Sequence, residues 1–264
     1  TQLVSLTDAQ ITALRTDQIA EISDARISAL TTAQIVALET SDFRALTQLQ
    51  LRALTTAQWV AAQPADIGAL STDQLTALYT NQLRALETAD IVALSTEQAI
   101  SLLESQVSAL TVSQIVAIET RDIAVLRTTQ IEALTTTQTV ALTTGQIAAL
   151  RTDQVLALET ADIAGLTTAA VAALRTDQIV ALQPADFVAL TIDGVQALRT
   201  DQIASLETAD VEALTTAQLV AMRPEQITAL RTDQVNAILP QRLATLTSGQ
   251  IIALETADFA GMAI

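Results

Sequence analysis

Six acidic pairs hold the residues of this chain best suited to chemistry: Glu39/Asp42, Glu87/Asp90, Glu119/Asp122, Glu159/Asp162, Glu207/Asp210 and Glu255/Asp258. In each, a Glu is followed three residues later by an Asp. On a helix this spacing makes them neighbours. Such a pair can work as acid and base or give oxygens to a hard cation such as calcium, which takes six to eight of them. One pair supplies too few, so calcium is the weaker reading. The stronger one is structural: acids at a helix start complement the helix dipole. Catalysis has little else to draw on. The chain has no His, no Cys and no Lys, a single Tyr (Tyr79), and no Gly-rich phosphate loop. Ser and Thr are plentiful but have no His or Lys to activate them. We expect a non-enzymatic protein without a cofactor.

Composition narrows the partners. The 264 residues carry a net charge of −16, and all 13 basic residues are Arg. Such a surface repels nucleic acid and anionic membranes. Half the chain is apolar but only 2% is aromatic, so its core must be built of Leu, Ile, Val and Ala. Thr, Gln or a charge interrupts every apolar run, whereas a membrane span needs roughly 20 apolar residues. Absent Cys excludes disulfides and thiolate sites.

The spacing of these residues follows a repeat. From Ser5 to Ala260 the chain divides into 32 octapeptides without insertion or deletion, of the form A-L-x-T-x-Q-I-x. We number these places position 1 to position 8. The expectation is one domain over residues 1–264 with no internal linker. Position 2 is Leu except at Ile22, Ala62, Ile118, Met222 and Ile238. Position 7 is apolar except at Thr139, with Phe43, Trp59, Phe187 and Phe259 its largest members. Eight residues at 100° each overshoot two helical turns by 80°, so a continuous helix would wind its apolar stripe away from any partner. The helix must break once per repeat. Pro64, Pro184, Pro224 and Pro240 all occupy position 4. Proline suits the first residue of a helix and pushes the residue before it into extended geometry. Position 3 is therefore the corner, and a helix runs from position 4 to position 2 of the next unit. Thr55 with Gln58 reads as a capping box. Where position 3 is Glu or Arg, Thr at position 4 should cap instead and move the boundary by one.

On this wheel positions 2 and 7 face inward, the position-6 Gln is half-buried, and positions 4, 5 and 8 face solvent. Helices this short do not stand alone in water, so they must stack as an array. A second period sets the stack. Arg127, Arg151, Arg175, Arg199 and Arg223 share position 3 at 24-residue intervals, as do Asp42, Asp66 and Asp90, then Asp162, Asp186 and Asp210, at position 6. The fold class is an all-α solenoid of short helices, one per octapeptide, three to a turn. At a helix spacing of roughly 8–10 Å this gives a rod on the order of 100 Å long. The Gln ladder should bond orphan backbone groups at neighbouring corners. The Arg ladder, with Asp153, Asp177 and Asp201 two residues after three of its members, reads as a solvated face of mixed sign.

The phrases "LTTAQIVALETSDF" from Leu30 and "LRTDQIVAL" from Leu174 resemble the octapeptide repeats of very large bacterial surface and secreted proteins. Those are adhesin-like proteins, described loosely by adhesion or haem utilisation. The resemblance implies an extracellular or cell-surface location and carries over no catalytic residue. Haem binding gains nothing here, because His and Cys are absent and Met222 and Met262 fall at the apolar position 2. The leading expectation is a rigid stalk or spacer whose partners are neighbouring repeats. The alternatives are end-to-end assembly with copies of itself and a scaffold that offers one ladder face to a protein or glycan.

Overall fold

The computed structural model describes residues 3–254 and Asp258. Glu255 and Phe259 lie outside the described residues. Among the described residues there are 31 α-helices and no strand. The helices are short, from four residues at Asp24–Ile27 to six at Thr32–Ala37. The chain falls into two compact units, Thr1–Gln138 and Thr139–Ile264, each built on the same plan.

The local rule is legible in the backbone. Helices open at position 4, as at Thr32, Gln48 and Thr56, and the four prolines each open one: Pro64–Ala69, Pro184–Ala189, Pro224–Thr228 and Pro240–Leu243. They close at position 1 or just before it, one residue earlier than the wheel implies. Leu38 at position 2 is already extended, with φ −68° and ψ 140°. Thr47 at position 3 is extended as well, with φ −71° and ψ 159°. Two extended residues thus make each corner. Among the described residues none has positive φ, so the turn suits any side chain.

The expected shift of boundary at charged corners does not occur. Glu39 and Arg175 are N-caps just as Thr31 is, though their side chains make no capping bond. A hydroxyl at position 3 is dispensable at these corners because position 6 reaches back to the backbone N–H of Glu39 and Arg175.

Helices stack three apart. In the first unit Thr32–Ala37, Thr56–Ala61, Thr80–Ala85 and Glu104–Ala109 pack in succession; in the second, Thr160–Gly165, Pro184–Ala189, Thr208–Ala213 and Thr232–Asn236 do so. Each step is 24 residues, so three helices complete a turn. Position 7 lines the interior: Ile35, Phe43, Trp59 and Phe187 are fully buried, and most position-2 leucines are buried with them. Position 1 is small because the next turn comes close. Donors at position 8 reach the position-1 carbonyl 25 residues on, as from Thr12 Oγ1 to Ala37 O at 3.0 Å and from Gln196 Nε2 to Ala221 O at 2.8 Å. Gly68 occupies such a place, where an added Cβ would stand 2.7 Å from the Ala93 carbonyl oxygen.

Candidate functional site

The position-6 side chains form the most developed polar arrangement in the protein. Gln178 illustrates it. Its Oε1 accepts the backbone N–H of Arg175, the corner residue of its own helix, at 2.7 Å. Its Nε2 donates to Ile147 O at 2.8 Å, within a helix of the preceding turn, and to Leu150 O at 2.7 Å, at the corner that ends that helix. One amide thus caps its own helix and fastens that helix to the turn below. Gln58, Gln82, Gln106 and Gln226 repeat the pattern, always 28 to 31 residues back. These are the orphan carbonyls that a helix end leaves behind.

The amides are more deeply placed than a single-helix wheel implies. Gln178 is completely buried, not half-buried, whereas Gln10 and Gln18, in the first described turn, are exposed. Burial of position 6 comes from the turn it docks on, and a wheel drawn for one unit omits that turn.

The acidic pairs are split between surface and interior. Glu39, Glu87, Glu159 and Glu207 are exposed and Glu119 partly so, while Asp42, Asp90, Asp122, Asp162, Asp210 and Asp258 are buried. Four of these aspartates do the capping half of the Gln's work. Oδ2 of Asp42, Asp90, Asp162 and Asp210 accepts the backbone N–H of its partner Glu, at 3.0, 2.7, 3.2 and 2.9 Å. The other oxygen turns to the turn below. Thr40 donates its hydroxyl to Asp66 Oδ1 at 2.9 Å, Thr96 to Asp122 at 2.7 Å, Thr160 to Asp186 at 2.8 Å and Thr232 to Asp258 at 3.0 Å. Glu119 instead meets Arg121 at the surface, at 2.6 Å. The two carboxylates of a pair therefore serve different partners, the Asp being held by its own backbone N–H or by a hydroxyl of the turn below, while Asp162 Oδ1 is buried without a hydrogen-bond partner.

The Arg ladder does more than face solvent. Arg175 and Arg199 each grip the Asp two residues on with both ends of the guanidinium, the closest contacts being 2.8 and 2.9 Å. Each also donates to the previous corner, to Leu150 O at 3.2 Å and Leu174 O at 3.3 Å, and more closely to Ala148 O and Ala172 O. Their side chains are about two-fifths exposed. A solvated face of mixed sign does not include this fastening role. The Arg-x-Asp spacing at 24-residue intervals is the signal that carries it.

The sequence signature described as the ALTTAQ repeat matches residues 35–80, 59–96, 115–152, 155–192 and 203–238, more than half of the chain. The chain belongs to the ALTTAQ repeat family. Among curated proteins, none matches it. The family phrase stands unaltered at residues 29–34, 53–58 and 213–218, and its letters have a physical meaning. Its first Thr and its Gln are the two halves of a capping box: Gln34, Gln58 and Gln218 donate their N–H to Thr31, Thr55 and Thr215 Oγ1 at 3.2, 3.3 and 3.2 Å.

Where the ALTTAQ array departs from the phrase, the missing contact can be restored. Gly194 holds position 6 and offers no amide, although Thr191 Oγ1 still accepts its N–H at 3.0 Å. Gly194→Gln should fasten that helix to Ile163 O and Leu166 O. It removes a helix-interior glycine, worth about 1 kcal/mol, and adds hydrogen bonds worth roughly 1 kcal/mol more. The expected result is a higher thermal midpoint. An unchanged or lower one would mean that the ladder contributes nothing at this joint.

Proposed function

We propose that the ALTTAQ array is a non-enzymatic structural region, a rigid stalk or spacer of an extracellular bacterial adhesin or fibre. The observation that supports this is where the recurring polar groups go. Gln178 and Arg175 spend their donors on the backbone of the preceding turn, and Asp186 accepts a hydroxyl from it. Such groups set spacing and stiffness. The bacterial surface setting rests on the resemblance of the octapeptide phrases to surface-protein repeats. In this role the array takes no cofactor and no nucleic acid, and it enters no membrane. Among the described residues no helix is long and apolar enough to cross one.

For a spacer, length is the property to test. Deleting residues 175–198 removes one complete turn, and duplicating them adds one. Solution scattering should show the maximum dimension falling or rising by one helix spacing, about 8–10 Å, with helicity per residue unchanged. A dimension insensitive to both changes would end the spacer proposal.

A further inference from the structure

The buried Asp files differ from the Gln files in one chemical respect. A glutamine amide both accepts and donates, whereas a carboxylate only accepts. Above each corner an ionised Asp therefore satisfies its own helix but cannot donate to the turn below. At four of the eight position-6 aspartates this is softened by Thr at position 4, whose hydroxyl reaches the Asp 26 residues later: Thr40 for Asp66, Thr96 for Asp122, Thr160 for Asp186 and Thr232 for Asp258.

At two places that donor is gone. Twenty-six residues before Asp90 stands Pro64, and 26 before Asp210 stands Pro184. Proline has neither a hydroxyl nor an N–H. Both aspartates are buried, at 1% and 2% exposure. Each also has another buried carboxyl 24 residues back, Asp66 and Asp186, on the helix it packs against. The two sites lie in different units and have the same construction.

We propose that Asp90 and Asp210 are acid-tightened joints, at which a proton taken up by the buried carboxyl group removes its repulsion with the carboxyl below and its need for the donor that proline took away, and so tightens the contact between the two turns. No group facing Asp90 opposes this. The helix Pro64–Ala69 brings Asp66, its own corner brings Glu87, and the helix above, Val112–Ala117, carries no charge. Around Asp210 stand Glu207 and Glu212 on its own segment, Asp186 below, and Arg231 with Asp233 on the helix above. Arg231 is engaged by Asp233 at 2.9 Å.

The proton affinities agree. Burial, and then the neighbouring carboxylates, push Asp90 up to about 6 and Asp210 up to about 6, while the N–H of Glu87 or Glu207 pulls the other way. An unfolded Asp titrates near 4. The folded chain thus binds more protons between about pH 4 and pH 6, and stability falls as pH rises through that window. Above it the loss is complete and constant. Asp153, Asp177, Asp201 and Asp233 have the opposite sign, held low chiefly by hydrogen bonds from their arginines. Their contribution is kept down to about pH 4 and lost only below it.

The test is urea unfolding of the full chain at pH 5.0 and 7.5, both above the isoelectric point near 4.1. The wild type should unfold at higher urea at pH 5.0. Asp90→Asn with Asp210→Asn mimics the neutral groups and should raise the pH 7.5 midpoint, removing most of the difference. Pro64→Thr with Pro184→Thr restores the hydroxyls and should also raise it at pH 7.5. Carboxyl-carbon NMR of the wild type should show two groups titrating near pH 6, moved downward by the Thr pair. Each carboxyl should change the folded-to-unfolded ratio by up to about tenfold per pH unit within the window. Full pH dependence retained in the Asn pair, or no buried carboxyl titrating above pH 5, would overturn the proposal. The NMR titration decides the matter even if the Asn pair does not fold.

Discussion

Gln178→Leu is expected to lower the stability of the second unit by roughly 1–4 kcal/mol, although leucine is the more apolar side chain. Leucine fills a comparable space and keeps the position buried, so the loss is one of hydrogen bonding. The Arg175 N–H, now accepted by Oε1 at 2.7 Å, is left inside without that partner, and the Leu150 carbonyl loses Nε2 at 2.7 Å and keeps only the Arg175 guanidinium at 3.2 Å. Each buried group so abandoned costs roughly 1–3 kcal/mol. The Ile147 carbonyl suffers less, because it also accepts the N–H of Leu150 at 3.3 Å. Urea midpoints measure the total. Amide exchange at Arg175 locates it, since that N–H should lose its protection first. A loss under about 0.5 kcal/mol, the usual size of a surface change, would show that the ladder is incidental to stability.

Trp59→Ala should cost more, roughly 3–5 kcal/mol, as large-to-small changes in cores do. Trp59 is fully buried at position 7, and its helix packs between Thr32–Ala37 and Thr80–Ala85. Its size is matched nearby. Ala62, three residues on and also buried, is the one Ala at a position 2 otherwise held by Leu, Ile or Met. Ala62 is the extended residue that closes the helix of Trp59, its N–H bonded to Trp59 O at 3.3 Å, so we expect the small corner to make room for the large indole. Ala62→Leu alone should therefore overpack, at a cost of about 1–3 kcal/mol. In the Trp59→Ile background the same change should restore the ordinary joint and be favourable. A double-mutant cycle reads the coupling directly, and additive effects would rule out the compensation. Trp59→Phe is the milder change. The indole N–H is buried without a hydrogen-bond partner, so its removal offsets part of the lost volume.

Much of this architecture is legible in the residues themselves. Four prolines at one register position place the helix starts, and they open helices in the structure. The 24-residue phase of Arg175 and Arg199, and of Asp162 and Asp186, gives three helices to a turn because only stacked positions share an environment. What was not legible depends on the neighbouring turn. Gln58 is buried by carbonyls 28 to 31 residues away, which no wheel of its own helix contains. Arg175 looks like a solvent-facing residue until the Leu150 corner is placed beside it. Charged corners such as Glu39 keep the common boundary, since the back-bond from position 6 acts on the backbone and is indifferent to the side chain at position 3.

The reach of the position-6 amides also bears on how such a chain acquires its structure. Every bond from Gln58, Gln106, Gln178 or Gln226 to an earlier corner closes within 31 residues. The mean sequence separation of contacts in each unit is therefore set by the turn and not by the number of turns. Folding speed follows that separation, so lengthening the array adds material without slowing its formation. Each new turn needs only the one before it as a template. A chain emerging from its N-terminal end can thus fold progressively, turn upon turn, before its remaining residues have appeared.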